Sequence, residues 1–141
     1  MLLKILCFIY LIIISFLDYF TFKIPNKITL AFFFLLLCLD IFTNPERIPA
    51  KLFCSLFFFT IFLATAYFTK GIGMGDIKLA GLLGYCLGFF QTSLVFIFSC
   101  FFGIIVFLVI RKFKYKLKQI PFAPFVAVGY LVSELCCRRI L

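Results

Sequence analysis

The chain has 141 residues, of which 66% are hydrophobic and 13% charged, with a mean hydropathy of +1.26, against roughly 25% charged residues in an average soluble domain. That composition excludes a water-soluble globule and places the chain in a bilayer as a single domain over residues 1–141. The net charge of +9 would suit nucleic acid, but its distribution along the chain argues for membrane topology instead.

Cutting at charged, Gly and Pro clusters leaves six apolar stretches, about 2–20, 25–43, 52–69, 77–90, 93–110 and 122–138. Each approaches the roughly 20 residues that span a hydrocarbon core of about 30 Å. The expected fold is therefore an all-α membrane protein, a bundle of six transmembrane helices with short loops. Residues 77–110 are too long for one span, and Gln91-Thr92-Ser93 is the polar place to turn. With an outer N-terminus, the inner side holds Lys23, Lys27, Lys70, Lys78, Arg111, Lys112, Lys114, Lys116 and Lys118, nine of the 14 basic residues. Lys4, Arg47, Lys51, Arg138 and Arg139 fall outside. This bias follows the positive-inside rule, so topology and contact with anionic lipid account for the charge, and no nucleic-acid partner is expected.

The first stretch begins like a secretory signal, with Lys4 before an apolar run, but no small-x-small site follows and Asp18 ends it, so a retained helix is expected. An interfacial carboxylate touching headgroups is the plain reading of Asp18. Pro25, followed by Asn26, opens the second helix, because proline in the first turn presets φ and loses no needed donor. That helix closes near Asp40, and Asp40 and Glu46 read as outer-interface residues without chemistry. The third helix carries no charge and delivers the chain to Gly71-Ile72-Gly73-Met74-Gly75-Asp76-Ile77-Lys78. An aspartate at the centre of a membrane helix costs roughly 2.5–3.5 kcal/mol, so such a residue faces protein or a watery cavity and acts there. Asp76 is thus the first functional candidate, and by this path it shares the inner side with Asp18.

Asp76, Ala80, Gly84 and Gly88 fall on one i, i+4 row, a ridge of small residues that invites another backbone close. Further on, the basic loop 111–118 leads to Gln119-Ile120-Pro121-Phe122-Ala123-Pro124-Phe125. Its two prolines, three apart, mark either broken backbone lining a cavity or a kinked helix start. Glu134 stands one turn before Arg138 as an i, i+4 pair. The seven cysteines (Cys7, Cys38, Cys54, Cys86, Cys100, Cys136 and Cys137) sit in apolar runs without CxxC spacing, so neither a metal site nor a disulfide framework is expected.

Two carboxylates held close cannot easily both ionise and so share a proton. The ionised member can activate water against an amide carbonyl while the protonated member polarises the carbonyl oxygen and then protonates the leaving nitrogen. The chain has no histidine and no Ser, Cys or metal constellation that competes. Gly71, Gly73 and Gly75 would let an extended substrate strand approach the backbone beside Asp76.

Asp18 with Ile24-Pro25-Asn26, then Gly73-Met74-Gly75-Asp76-Ile77-Lys78-Leu79, then Pro121-Phe122-Ala123-Pro124-Phe125 together resemble the type IV prepilin peptidases, membrane aspartic proteases with a GxGD motif. The resemblance covers nearly the whole chain. It implies that Asp18 and Asp76 are the catalytic pair, that Gly73, Gly75 and Lys78 belong to the active-site loop, and that Pro25, Asn26, Pro121, Phe122 and Pro124 flank a substrate channel. It implies pilin-like precursors as substrates, cut after a short basic leader at the cytoplasmic face of a bacterial or archaeal membrane, with no cofactor. Two departures stand out. The paired CxxC extension linked to methylation of the new N-terminus is not seen, which implies peptidase without methyltransferase activity, and Ala123 replaces a common glycine. A presenilin-like intramembrane protease and a non-enzymatic transporter or assembly subunit remain as other readings; against a carrier, no internal repeat is seen.

Overall fold

The structure, a computed structural model, describes residues 2–21, 25–69, 73–112 and 122–140. Lys23, Lys70, Gly71, Ile72, Lys114, Lys116, Lys118 and Pro121 lie outside the described residues, as do the side chains of Arg111, Lys112, Arg138 and Arg139. Among the described residues the order is α1 (Leu2–Thr21), α2 (Asn26–Thr43), a single 3-10 turn (Pro45–Arg47), α3 (Ile48–Thr69), α4 (Met74–Lys112) and α5 (Ala123–Ile140). Three helices, Asn26–Thr43, Pro45–Thr69 and Met74–Val109, are long and apolar enough to cross a membrane. Large apolar side chains such as Phe42, Phe53, Tyr67, Phe68 and Phe101 point outward, as suits a surface solvated by lipid.

Five α-helices are described where six were expected. The fourth and fifth apolar stretches form one element, α4, broken at Gly88, whose φ of 76° and ψ of 179° are not helical. Thr92 Oγ1 donates to the Leu83 carbonyl at 3.0 Å. Nine residues of straight helix would separate these groups by about 13 Å, so the chain doubles back at Gly88. The turn expected at residues 91–93 therefore lies a few residues earlier. This is because glycine alone reaches that backbone region readily, and the polar side chains find partners within the helices: Gln91 Nε2 donates to Glu134 Oε2 at 2.5 Å and Ser93 Oγ to the Phe89 carbonyl at 2.9 Å.

The two arms of α4 are the hub. α3 packs against the first arm where Gly84 lies, and a Cβ there would come within 2.8 Å of the Cys54 carbonyl oxygen. The same helix reaches the second arm through Phe58 and Phe62, both against Phe96. α5 rests on the second arm at Gly129, where a Cβ would fall 2.6 Å from the Val95 carbonyl oxygen. The expected small-residue ridge is thus seated against α3 at Gly84, whereas Gly88 ends the row by turning the chain. Around the hub, Leu11, Ile14, Leu36, Leu79, Leu82, Leu83 and Val126 are fully buried or nearly so.

Polar groups collect at the two ends of the bundle. At one end Lys4 pairs with Glu134 at 3.2 Å, Gln91 joins the same carboxylate, and Tyr130 Oη donates to the Lys4 carbonyl at 3.0 Å. Glu134 is thus engaged by side chains from α1 and α4, while the Arg138 side chain expected beside it lies outside the described residues. Asp40 departs from expectation. It is fully buried rather than interfacial, held by Lys51 Nζ at 2.7 and 2.8 Å across the turn from α2 to α3. The Lys51 ammonium also lies 5.7 Å from the centre of the Tyr85 ring.

Candidate active site

Asp18 stands near the end of α1, with 6% of its surface exposed. Its Oδ2 accepts the backbone N–H of Ala123 at 3.1 Å, the first residue of α5. A helix leaves its first N–H groups unsatisfied, and here one of them is satisfied by a carboxylate from 105 residues away. Pro124 and the Phe122 carbonyl explain why the helix starts at this point. Phe122 accepts from the N–H groups of Phe125 at 3.1 Å and Val126 at 3.3 Å, while Pro124 occupies the first turn, where a missing N–H removes no helical bond. At Pro124 a helix start is what forms, while Pro121 of the same motif lies outside the described residues. Phe122 and Pro124 are half-buried beside it.

Asp76 stands in the first turn of α4, half-buried. The Gly73 carbonyl accepts from the N–H groups of Asp76 at 3.0 Å and Ile77 at 3.4 Å, which opens the helix. A Cβ built on Gly73 would lie 3.5 Å from Asp76 Oδ2, so the glycine backbone runs directly beside the carboxylate. Asp18 and Asp76 lie close enough for their like charges to be felt. Each also meets the positive end of a helix, Asp76 that of α4 and Asp18 that of α5. Such ends favour carboxylates by typically 0.3–1 kcal/mol, and by about 2 in partly buried geometry. Two helix dipoles therefore offset part of the repulsion that a close acidic pair creates.

The remaining candidates divide. Gly75 lies half-buried in the first turn of α4 with Asp76. Lys78 Nζ donates to Asn26 Oδ1 at 2.7 Å, joining the second helical turn of α4 to the first residue of α2. Pro25 caps α2, its carbonyl accepting from Ile28 and Thr29. At 100° per residue, Lys78 falls about 200° round α4 from Asp76, so the Asn26–Lys78 pair occupies a different face from the aspartates. The Ala123 N–H is a partner of Asp18 that side-chain patterns do not reveal, since a backbone donor leaves no signature in them. No group of three or more His, Cys, Asp or Glu that could hold a metal occurs among the described residues.

The model of the type IV leader peptidase family matches residues 5–108, which include both aspartates and the glycine corner. The chain is also 30% identical over 128 residues to the prepilin leader peptidase/N-methyltransferase of Bacillus subtilis (strain 168), an alignment covering 89% of this chain and 52% of that relative. The chain thus spans about half the length of the curated relative it matches. No solved structure matches. By the extent of the family match, with relatedness along most of its length, the chain belongs to the type IV leader peptidase family.

Proposed function

We propose that this chain is an aspartic endopeptidase of the membrane that removes the leader from pilin-like precursors, with Asp18 and Asp76 as its catalytic pair. What supports this reading is the nearness of two acidic side chains from α1 and α4, close enough for their charges to interact, each at a helix N-terminus. The ionised member of the pair takes a proton from water, whose oxygen attacks the carbonyl carbon of the scissile amide. The protonated member hydrogen-bonds the carbonyl oxygen and then gives its proton to the leaving nitrogen as the C–N bond breaks. Ala123 positions Asp18 through its N–H, and the bare backbone of Gly73 leaves room for substrate beside Asp76. The positive-inside bias supports a cytoplasmic site.

The test is cleavage of a co-expressed pilin-like precursor by the wild type and by Asp18→Asn and Asp76→Asn. Removing a positioned acid or base typically costs 10²–10⁴-fold. We expect each variant to lose cleavage by about that factor or more while still accumulating in the membrane. Undiminished cleavage by either would remove that aspartate from the mechanism.

A further inference from the structure

Between α2, α3 and the first arm of α4 runs a cleft of about 460 Å³. Its walls are mostly apolar, with Leu30, Phe33, Leu56 and Phe59 beside the hydroxyls of Thr29 and Ser55, and Asn26 and Lys78 stand at its end nearest the glycine corner. The α4 residues that line it, Lys78, Gly81 and Leu82, fall about 140–240° round the helix from Asp76. Neither aspartate reaches it. An occupant of this cleft is therefore not positioned for the Asp18–Asp76 pair.

We propose that the cleft is a binding site for one anionic glycerophospholipid, with an acyl chain lying between α2 and α3 and the phosphate at Lys78 and Asn26. Three observations support this occupant. The walls are hydrocarbon-like over the depth of α2 from Asn26 to Phe33 and match an acyl chain better than water. Among the described residues the cation that lines the cleft, Lys78, stands at its end, where a headgroup phosphate would sit, and basic groups near the membrane surface favour anionic lipid. Asn26 is exposed and accepts from Lys78 with its side-chain oxygen, so that bond does not use its amide NH₂, a second donor for a phosphate. The Asp40–Lys51 pair clamps α2 to α3, beside Leu52 of the cleft wall. The inference does not depend on the reading of Asp18 and Asp76.

The experiment is native mass spectrometry of the full chain, purified in mild detergent and supplied with equal amounts of phosphatidylglycerol and phosphatidylcholine. One phosphatidylglycerol should stay bound per chain, in preference to phosphatidylcholine by about fivefold, the factor a single lysine near a charged headgroup supplies. Lys78→Gln should remove that preference. Leu56→Trp and Leu30→Trp, two independent ways of filling the cleft, should each abolish retention of the bound lipid while eluting from size exclusion like the wild type. Equal retention of the two lipids by the wild type, or unchanged retention in a folded tryptophan variant, would overturn the proposal. So would displacement of the lipid by an equimolar precursor peptide, which would assign the cleft to substrate.

Discussion

A carboxylate in an apolar bundle must find a donor, a cation or a helix end, and three acids of this chain show how. Asp18 takes a backbone N–H from α5, Asp76 sits in the first turn of α4, and Asp40 takes the ammonium of Lys51. The last is the most demanding, because Asp40 is fully buried. Breaking a buried pair by removing one partner typically costs 3–5 kcal/mol, whereas replacing both by apolar groups is often neutral. Lys51→Ala should therefore lower stability by about that amount in a detergent unfolding titration, and Asp40→Leu/Lys51→Met should recover most of it. At Gly73 the expectation is the reverse. A methyl would lie 3.5 Å from Asp76 Oδ2, an ordinary contact, so Gly73→Ala should unfold at the wild-type temperature. If substrate passes beside that backbone, the same variant should cleave precursor more slowly; wild-type turnover would show that Gly73 is not needed for access.

At the scale of elements, α4 decides the architecture, and two glycines decide α4. The Gly88 backbone lies in a region essentially reserved for glycine, where another residue costs of order 1–3 kcal/mol. No neighbour lies within 4 Å of a Cβ placed there, so Gly88→Ala should destabilise by that backbone strain alone. Gly84 is the opposite case, helical but crowded. Alanine gains up to about 1 kcal/mol in helix propensity, yet its methyl would meet the Cys54 carbonyl at 2.8 Å. A backbone atom cannot step aside as a side chain can, and overpacking typically costs 1–3 kcal/mol. Gly84→Ala should therefore lose stability on balance, which unfolding of the purified variant in detergent would measure. The hairpin position differs from expectation for a physical reason. Polar residues suggest a turn, but Gln91, Thr92 and Ser93 all bond within the bundle, and the turn falls to the residue that adopts its φ cheaply.

For the whole molecule, hydropathy and charge were enough to set out an all-helical membrane chain, and the path they imply brings the ends of α1 and α4 together. The candidate pair was legible because a carboxylate beside glycines in an apolar sequence is conspicuous. What was not legible depends on partners far along the chain. The N–H of Ala123 reaches Asp18 only because α5 starts beside the end of α1. Glu134 meets Lys4 and Gln91 only once three helices converge, and Asp40 reads as interfacial until α3 delivers Lys51. The account stands on Asp18 and Asp76 lying near each other at one end of the bundle, and its most direct measurement is a cross-link. In a chain with its seven native cysteines replaced, single cysteines at positions 18 and 76 are treated with a short bifunctional maleimide, and the polypeptide is then cut in the turn between α2 and α3. The account predicts that the two fragments stay joined, and that they separate when the first cysteine is at position 4, at the opposite end of the bundle. Fragments that separate for 18 and 76, or stay joined for 4 and 76, would contradict it.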